Sequence, residues 1–161
     1  MYYEPVRLKH GSQPAPPDVS ENSRKLDLQV IFTDLPKTAA ALAKARSMAR
    51  GLGARITLMV ARVVPYPLPL AEPDVPVEFT EHLLEPLARE QDNARDDADI
   101  AIEIYLCRDR SETIRRAVPP DSLVIVGAPK RRWWPSGWFP WERSLARMLR
   151  RDGRRVLVVT V

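Results

Sequence analysis

The chain has 161 residues, 45% of them hydrophobic, with a formal charge of +4 and a pI near 9.5, which is apolar material for one compact domain and little more. A single cysteine, Cys107, excludes an intramolecular disulfide, and His10 and His82 have no metal-ligand spacing. No apolar run reaches membrane-spanning length and the N-terminus lacks a signal-like core, so a soluble protein in a reducing cytoplasm is expected.

Residues 1–23 carry Pro5, Gly11, Pro14, Pro16 and Pro17 among scattered polar groups and read as a flexible tail. From Leu26 the pattern changes. Leu28 to Asp34 (LQVIFTD) is an apolar, partly β-branched run closed by Leu35-Pro36, and reads as a first strand. Thr38 to Leu52 has alanines, leucines and Met48 at helical spacing, with Thr38 as a candidate N-cap and Gly51 or Gly53 as the stop. Arg55 to Val63 (RITLMVARV) is a second strand. The opening is therefore a βαβ unit, and its near-continuous apolar runs imply a sheet covered on both faces.

Val64 to Pro76 holds too many prolines for regular structure and reads as a surface loop. A helix fits from about Thr80 to Asp97, kinked at Pro86 or beginning at Glu85. Ile100 to Leu106 (IAIEIYL) alternates as a third strand near a sheet edge, with Cys107 after it as a packing residue. Asp109 or Ser111 caps a helix that ends at Pro119-Pro120. Ser122 to Gly127 is a fourth strand, Glu142 to Arg151 a last helix, and Val156 to Val161 a fifth strand. Residues 24–161 thus spell an α/β domain, a doubly wound, five-stranded parallel sheet with helices on both faces.

Charge is unevenly spread along this framework. Lys130, Arg131, Arg132, Arg143, Arg147, Arg150, Arg151, Arg154 and Arg155 crowd the C-terminal third, whereas acidic residues gather between Glu72 and Asp99. A basic end of this kind favours association with anions, or is simply a solvated arginine face. A strand that stops on Gly127 marks the carboxyl edge of a parallel sheet, where α/β folds place ligands.

Over roughly Leu26 to Val161 the chain resembles a universal stress protein domain of the adenine-nucleotide α-hydrolase-like group. The resemblance rests on VIFTD closing the first strand, the alanine-rich helix after it, RITLMVARVVP with its proline-rich exit, SETIRRAV leading into DSLVIVG, and LARMLRRDGRRVLVVTV at the end. It implies the strand order 3-2-1-4-5. It also implies a place for ATP, since nucleotide-binding relatives end the fourth strand in a glycine-rich loop whose backbone N–H groups and a hydroxyl hold phosphate at a helix N-terminus.

That loop is degenerate here. Gly127 matches the first glycine, Lys130 stands where the second belongs, and Glu142 and Arg143 fall near the positions of the last glycine and the hydroxyl residue, with Ser144 beside them. Pro129, Pro135 and Pro140 remove donors, and a glutamate repels phosphate. Asp34 matches the aspartate near the nucleoside, and Val60 to Arg62 the strand edge near the adenine. Two readings stay open. Either the pocket is abandoned and Asp34 caps the first helix, or ATP or another anion is held by Asp34, Val60, Gly127, Lys130, Arg132, Arg143 and Ser144 with basic side chains replacing the glycines.

In place of the phosphate loop stands KRRWWPSGWFPWERS, with all four tryptophans of the chain, Trp133, Trp134, Trp138 and Trp141, beside Phe139. Such rings next to arginines either fold back to plug the vacated pocket or form a partner surface; peripheral membrane contact and single-stranded nucleic acid rank below these. The resemblance further implies a homodimer through the last strand, whose Val156, Val158 and Thr160 would form the seam. No nucleophile elbow, Walker loop or metal spacing is found, and no catalytic residue is assigned. The expectation is a non-catalytic, cytoplasmic, stress-related interaction or accessory protein that has lost the standard ATP loop, needs no cofactor and contacts no nucleic acid.

Overall fold

In the computed structural model the described residues are 6–10, 26–70, 82, 84, 86–87, 100–130 and 140–161. They form β1 (Val6–His10), β2 (Asp27–Ile31), α1 (Leu35–Leu52), β3 (Arg55–Val63), β4 (Ile100–Cys107), α2 (Arg110–Ala117), β5 (Leu123–Ala128), α3 (Trp141–Arg151) and β6 (Arg155–Thr160). The sheet order is β1-β4-β3-β2-β5-β6. From β4 to β6 every pairing is parallel, so the five strands read from the sequence stand in the order 3-2-1-4-5.

Alternation along the strands divides the core in two, because successive side chains point to opposite faces. On one face Leu28, Val30, Ile56, Leu58, Val60, Ile104 and Ile125 pack against Ala41, Leu42, Ala45 and Ala49 of α1. On the other, Ile31, Met59, Tyr105, Cys107, Val124 and Val126 meet Ile114 and Val118 below α2 and Leu145 and Leu149 of α3. Fully burying each leucine or isoleucine contributes about 1.5–3 kcal/mol before chain entropy is counted. His82, Leu84, Pro86 and Leu87 are helical, and Leu84 and Leu87 join the α1 face. Helix therefore already exists ahead of Pro86; the remainder of the helix expected over Thr80 to Asp97 lies outside the described residues.

The sequence-based expectations need correction at two places. Val6–His10 is not part of a flexible tail. It pairs antiparallel with β4, Val6 opposite Leu106 and His10 opposite Ile102, and adds a sixth strand. The third predicted strand, placed near an edge, is thus covered on its outer side, which its burial at Ile104 to Cys107 reflects. The second correction is the start of α1, at Leu35 rather than Thr38; of the two cap residues the sequence offered, the later one is excluded. Asp34, not Thr38, is the N-cap, accepting from the Lys37 backbone N–H at 2.9 Å, while Pro36 occupies the first turn, where its missing N–H has no helical partner to lose. Thr38 is buried and accepts from the Thr33 N–H at 3.1 Å. The helix ends where expected, Gly53 taking φ 58° and returning its N–H to Ala49.

Arg108 fixes the proline-rich exit of β3. Its Nη1 donates to the carbonyls of Val64 and Pro65 at 2.8 and 2.9 Å, its Nη2 donates to Leu68, and its guanidinium lies 4.9 Å from the Tyr66 ring centroid. Loop carbonyls that would otherwise need water are thereby satisfied by one side chain. Across the other end, Arg115 of α2 grips Asp152 at the end of α3 with Nε–Oδ2 at 2.6 Å and Nη2–Oδ1 at 3.2 Å.

Gly127 decides how closely α1 approaches the sheet. A Cβ built there would lie 2.7 Å from the Lys37 carbonyl carbon and 2.8 Å from its Cβ, so helix and strand must separate to admit any side chain. Gly127→Ala is expected to lower unfolding stability by roughly 1–3 kcal/mol, the range for overpacking, read as a shift in urea midpoint at constant slope. An unchanged midpoint would show that the first turn of α1 yields freely.

Candidate functional site

The carboxyl ends of β2 and β5 bring together the start of α1, Gly127 and the start of α3. A polar cluster forms between them. Lys37 Nζ lies 2.7 Å from Asp34 Oδ2 and 2.8 Å from Glu142 Oε1. Glu142, in the first turn of α3, is 4% exposed, whereas Asp34 and Lys37 remain partly open to solvent. Pro140 precedes that helix and supplies no side-chain cap, so the Glu142 carboxylate is the anion that faces the positive end of α3. Burying it is tolerable because Lys37 neutralises it at hydrogen-bond distance.

The ionisation of the cluster follows from this geometry. Burial alone would raise Asp34, but hydrogen bonds from the Lys37 side chain and backbone, with the attraction of its charge, outweigh that and hold the carboxyl below its ordinary value. Lys37 is raised by its bonds to Asp34 and then to Glu142, against a smaller opposing effect of burial. Burial likewise pushes the Cys107 thiol up; its Sγ donates to the Arg62 carbonyl at 3.4 Å, as suits a packing residue rather than a nucleophile.

The other residues singled out in the sequence are placed as follows. Val60 is buried in the α1-face core at 4% exposure. Lys130 is exposed and its backbone N–H is committed to the Val161 carbonyl at 3.0 Å. Arg143 turns its Nη2 to the Pro129 carbonyl at 2.9 Å. Ser144 is exposed, and its N–H, like that of Arg143, bonds the Pro140 carbonyl. Arg132, Trp133, Trp134, Trp138 and Phe139 lie outside the described residues. Trp141 is half-buried against the α2/α3 core, with the Arg110 guanidinium 4.9 Å from its ring centroid. Val156 and Val158 are half-buried, Thr160 is exposed, and no further strand pairs with β6 among the described residues.

Lys37 is the member that sequence reasoning missed. The signal was present: a lysine in the first turn of a helix opposes the dipole and calls for a carboxylate partner, and Asp34 stands three residues before it. Nothing local announces its second partner, Glu142, 105 positions away. Among the described residues there is no group of three His, Cys, Asp or Glu side chains able to hold a metal ion, and no helix long and apolar enough to cross a membrane.

No protein-family profile matches the chain, and no curated protein matches it in sequence. Among solved structures it is similar to a protein of the universal stress protein family from Burkholderia pseudomallei, with a TM-score of 0.53 at 19% identity, covering 86% of this chain and 98% of that one. The likeness is one of fold, and it extends over nearly all of the solved protein.

Two outcomes are expected of the cluster. Lys37→Met leaves a buried carboxylate unpaired and lowers stability by about 1–3 kcal/mol, short of the 3–5 kcal/mol typical of a fully buried pair, because the Lys37 side chain keeps 22% exposure; Glu142→Gln in urea denaturation loses less. With pH, the contribution of Asp34, depressed in the folded state, is present above about pH 4 and lost as pH falls through its lower folded value. That of Lys37, raised in the folded state, is complete below about pH 10.4 and lost only at higher pH. Asp34→Asn therefore sheds less stability than wild type between pH 5 and pH 2, and equal acid losses would remove Asp34 from this account.

Proposed function

We propose that this chain is a non-catalytic domain of the universal stress protein type whose nucleotide loop has been lost, and that it works as a dimeric, stress-related interaction or accessory protein in the cytoplasm. One observation carries the reading: the Glu142 carboxylate, paired with Lys37, stands at the helix N-terminus where the resemblance places phosphate. A second anion there would meet the charge of Glu142 and would have to take Lys37 from it. Several of the donors around it are also engaged or missing. Pro129 and Pro140 have no N–H, the Lys130 N–H is paired with Val161, and Arg143 is turned to Pro129.

The interaction role draws on the residues that replace the loop. Trp133, Trp134, Trp138 and Phe139, flanked by arginines, have the composition of interface anchors, and β6 offers Val156, Val158 and Thr160 on an edge suited to a second copy. The alternative, an ATP- or anion-binding stress protein using Lys130, Arg132 and Arg143, requires Arg143 to leave Pro129 and Lys37 to exchange Glu142 for phosphate.

Calorimetric titration with ATP and Mg²⁺ tests the choice. No saturable heat is expected from wild type at low or moderate salt. Saturable binding that disappears in Asp34→Ala would overturn the proposal and make the chain a nucleotide-binding protein.

A further inference from the structure

The two edges of the sheet are built differently. One is β6; the other is β4 with β1 laid along it, antiparallel, from Val6 opposite Leu106 to His10 opposite Ile102. Without β1 the outer edge of β4 would be the run IAIEIYLC, whose one charged residue is Glu103. A long apolar strand edge is a template for pairing with another chain. β1 substitutes an edge of another kind. VRLKH is five residues long, Pro5 precedes it in sequence, and Arg7 and Lys9 alternate along it. Short length, proline and basic residues are the features that keep a strand edge from pairing further.

β1 is held by its ladder rather than by its tether. Through the registers His10 stands level with Ile102, Leu58 and Val30, so three inter-strand steps and three residues of strand, under about 20 Å in all, separate it from the start of β2. Residues 11–26, which make that connection, reach on the order of 50 Å when extended. The tether therefore raises the local concentration of the strand without forcing it into place. Five residues paired to a single neighbour form a small unit, of the kind that opens ahead of a core.

An uncovered β4 is matched by the β4 of a second copy. Set antiparallel and centred on Ile104, two such strands place Ile102 opposite Leu106 and Glu103 opposite Tyr105, so apolar residues meet on one face and the two carboxylates stay apart. The two-fold relating them stands perpendicular to the sheet and leaves both copies of α1 on the same side, so the faces match. Because β6 lies at the far edge, pairing at both edges does not close on itself; each copy extends the sheet to the next.

We propose that Val6–His10 is a built-in stopper, which occupies on β4 the pairing site of a second copy and so confines self-association to the β6 edge. The dimeric wild type expected from this rests on the last-strand pairing read above; the stopper itself does not.

The double variant Arg7→Pro/Leu8→Pro in the full chain tests it, since consecutive strand residues direct their N–H groups to opposite sides and one of these two must face β4. In sedimentation velocity the wild type is expected as a dimer, and the variant as tetramers and longer species at roughly a tenth of the concentration at which wild type would form them. A synthetic peptide of residues 4–12 supplies the missing strand. In excess it should return the variant to the wild-type state, and a fluorescein-labelled form should bind the variant at least about tenfold more tightly than wild type, whose site is filled from within the chain. A monomeric wild type beside a variant that dimerises, with the peptide reversing it, keeps the stopper and removes the last-strand dimer. Identical species from both proteins at every concentration overturn the stopper, whether or not the peptide binds. Variant assemblies that excess peptide does not disperse, or equal peptide binding by both proteins, overturn it as well.

Discussion

One residue holds the carboxyl end of this sheet together. Lys37 gives its backbone N–H to the cap of α1, presses its carbonyl against Gly127 of β5, and sets its ammonium between Asp34 and Glu142. Each of these would be weak alone, because a first-turn lysine opposes the helix dipole and an exposed ion pair contributes little. Together they lock α1, β5 and α3 to one another. The close approach at Gly127 brings the ammonium within reach of Glu142, and Glu142 tolerates burial only because the ammonium arrives.

The five parallel strands were legible because each announced itself through an uninterrupted apolar or alternating run, and parallel sheets buried on both faces require such runs. Caps were legible as a residue class but not as a position. Thr38 and Asp34 are both good N-caps, and the choice fell to Pro36, whose ring is welcome in a first turn and turns Leu35-Pro36 from a boundary into the helix itself. Val6–His10 was hidden because its five residues sit among prolines and its partner lies far along the chain. The alternation of Ile100 to Leu106 pointed to an edge, but no local pattern says which distant segment will pair with it.

The site was legible in its losses and illegible in its replacements. Missing glycines, intruding prolines and a glutamate at the start of the last helix all stand in the sequence, and each bears on phosphate through a known physical effect. That Glu142 turns inward to a lysine of the first helix, and that Trp141 lies over Arg110, depends on tertiary packing.

The register of β1 on β4 has a consequence for how the chain acquires its structure. Val6 has its partner far along the chain, at Leu106, whereas β2, α1 and β3 pair within a short stretch of sequence. On a ribosome Val6–His10 must therefore wait until β4 has emerged, while the central βαβ unit is free to assemble before it. A strand made so far ahead of its partner is then among the last to be fastened.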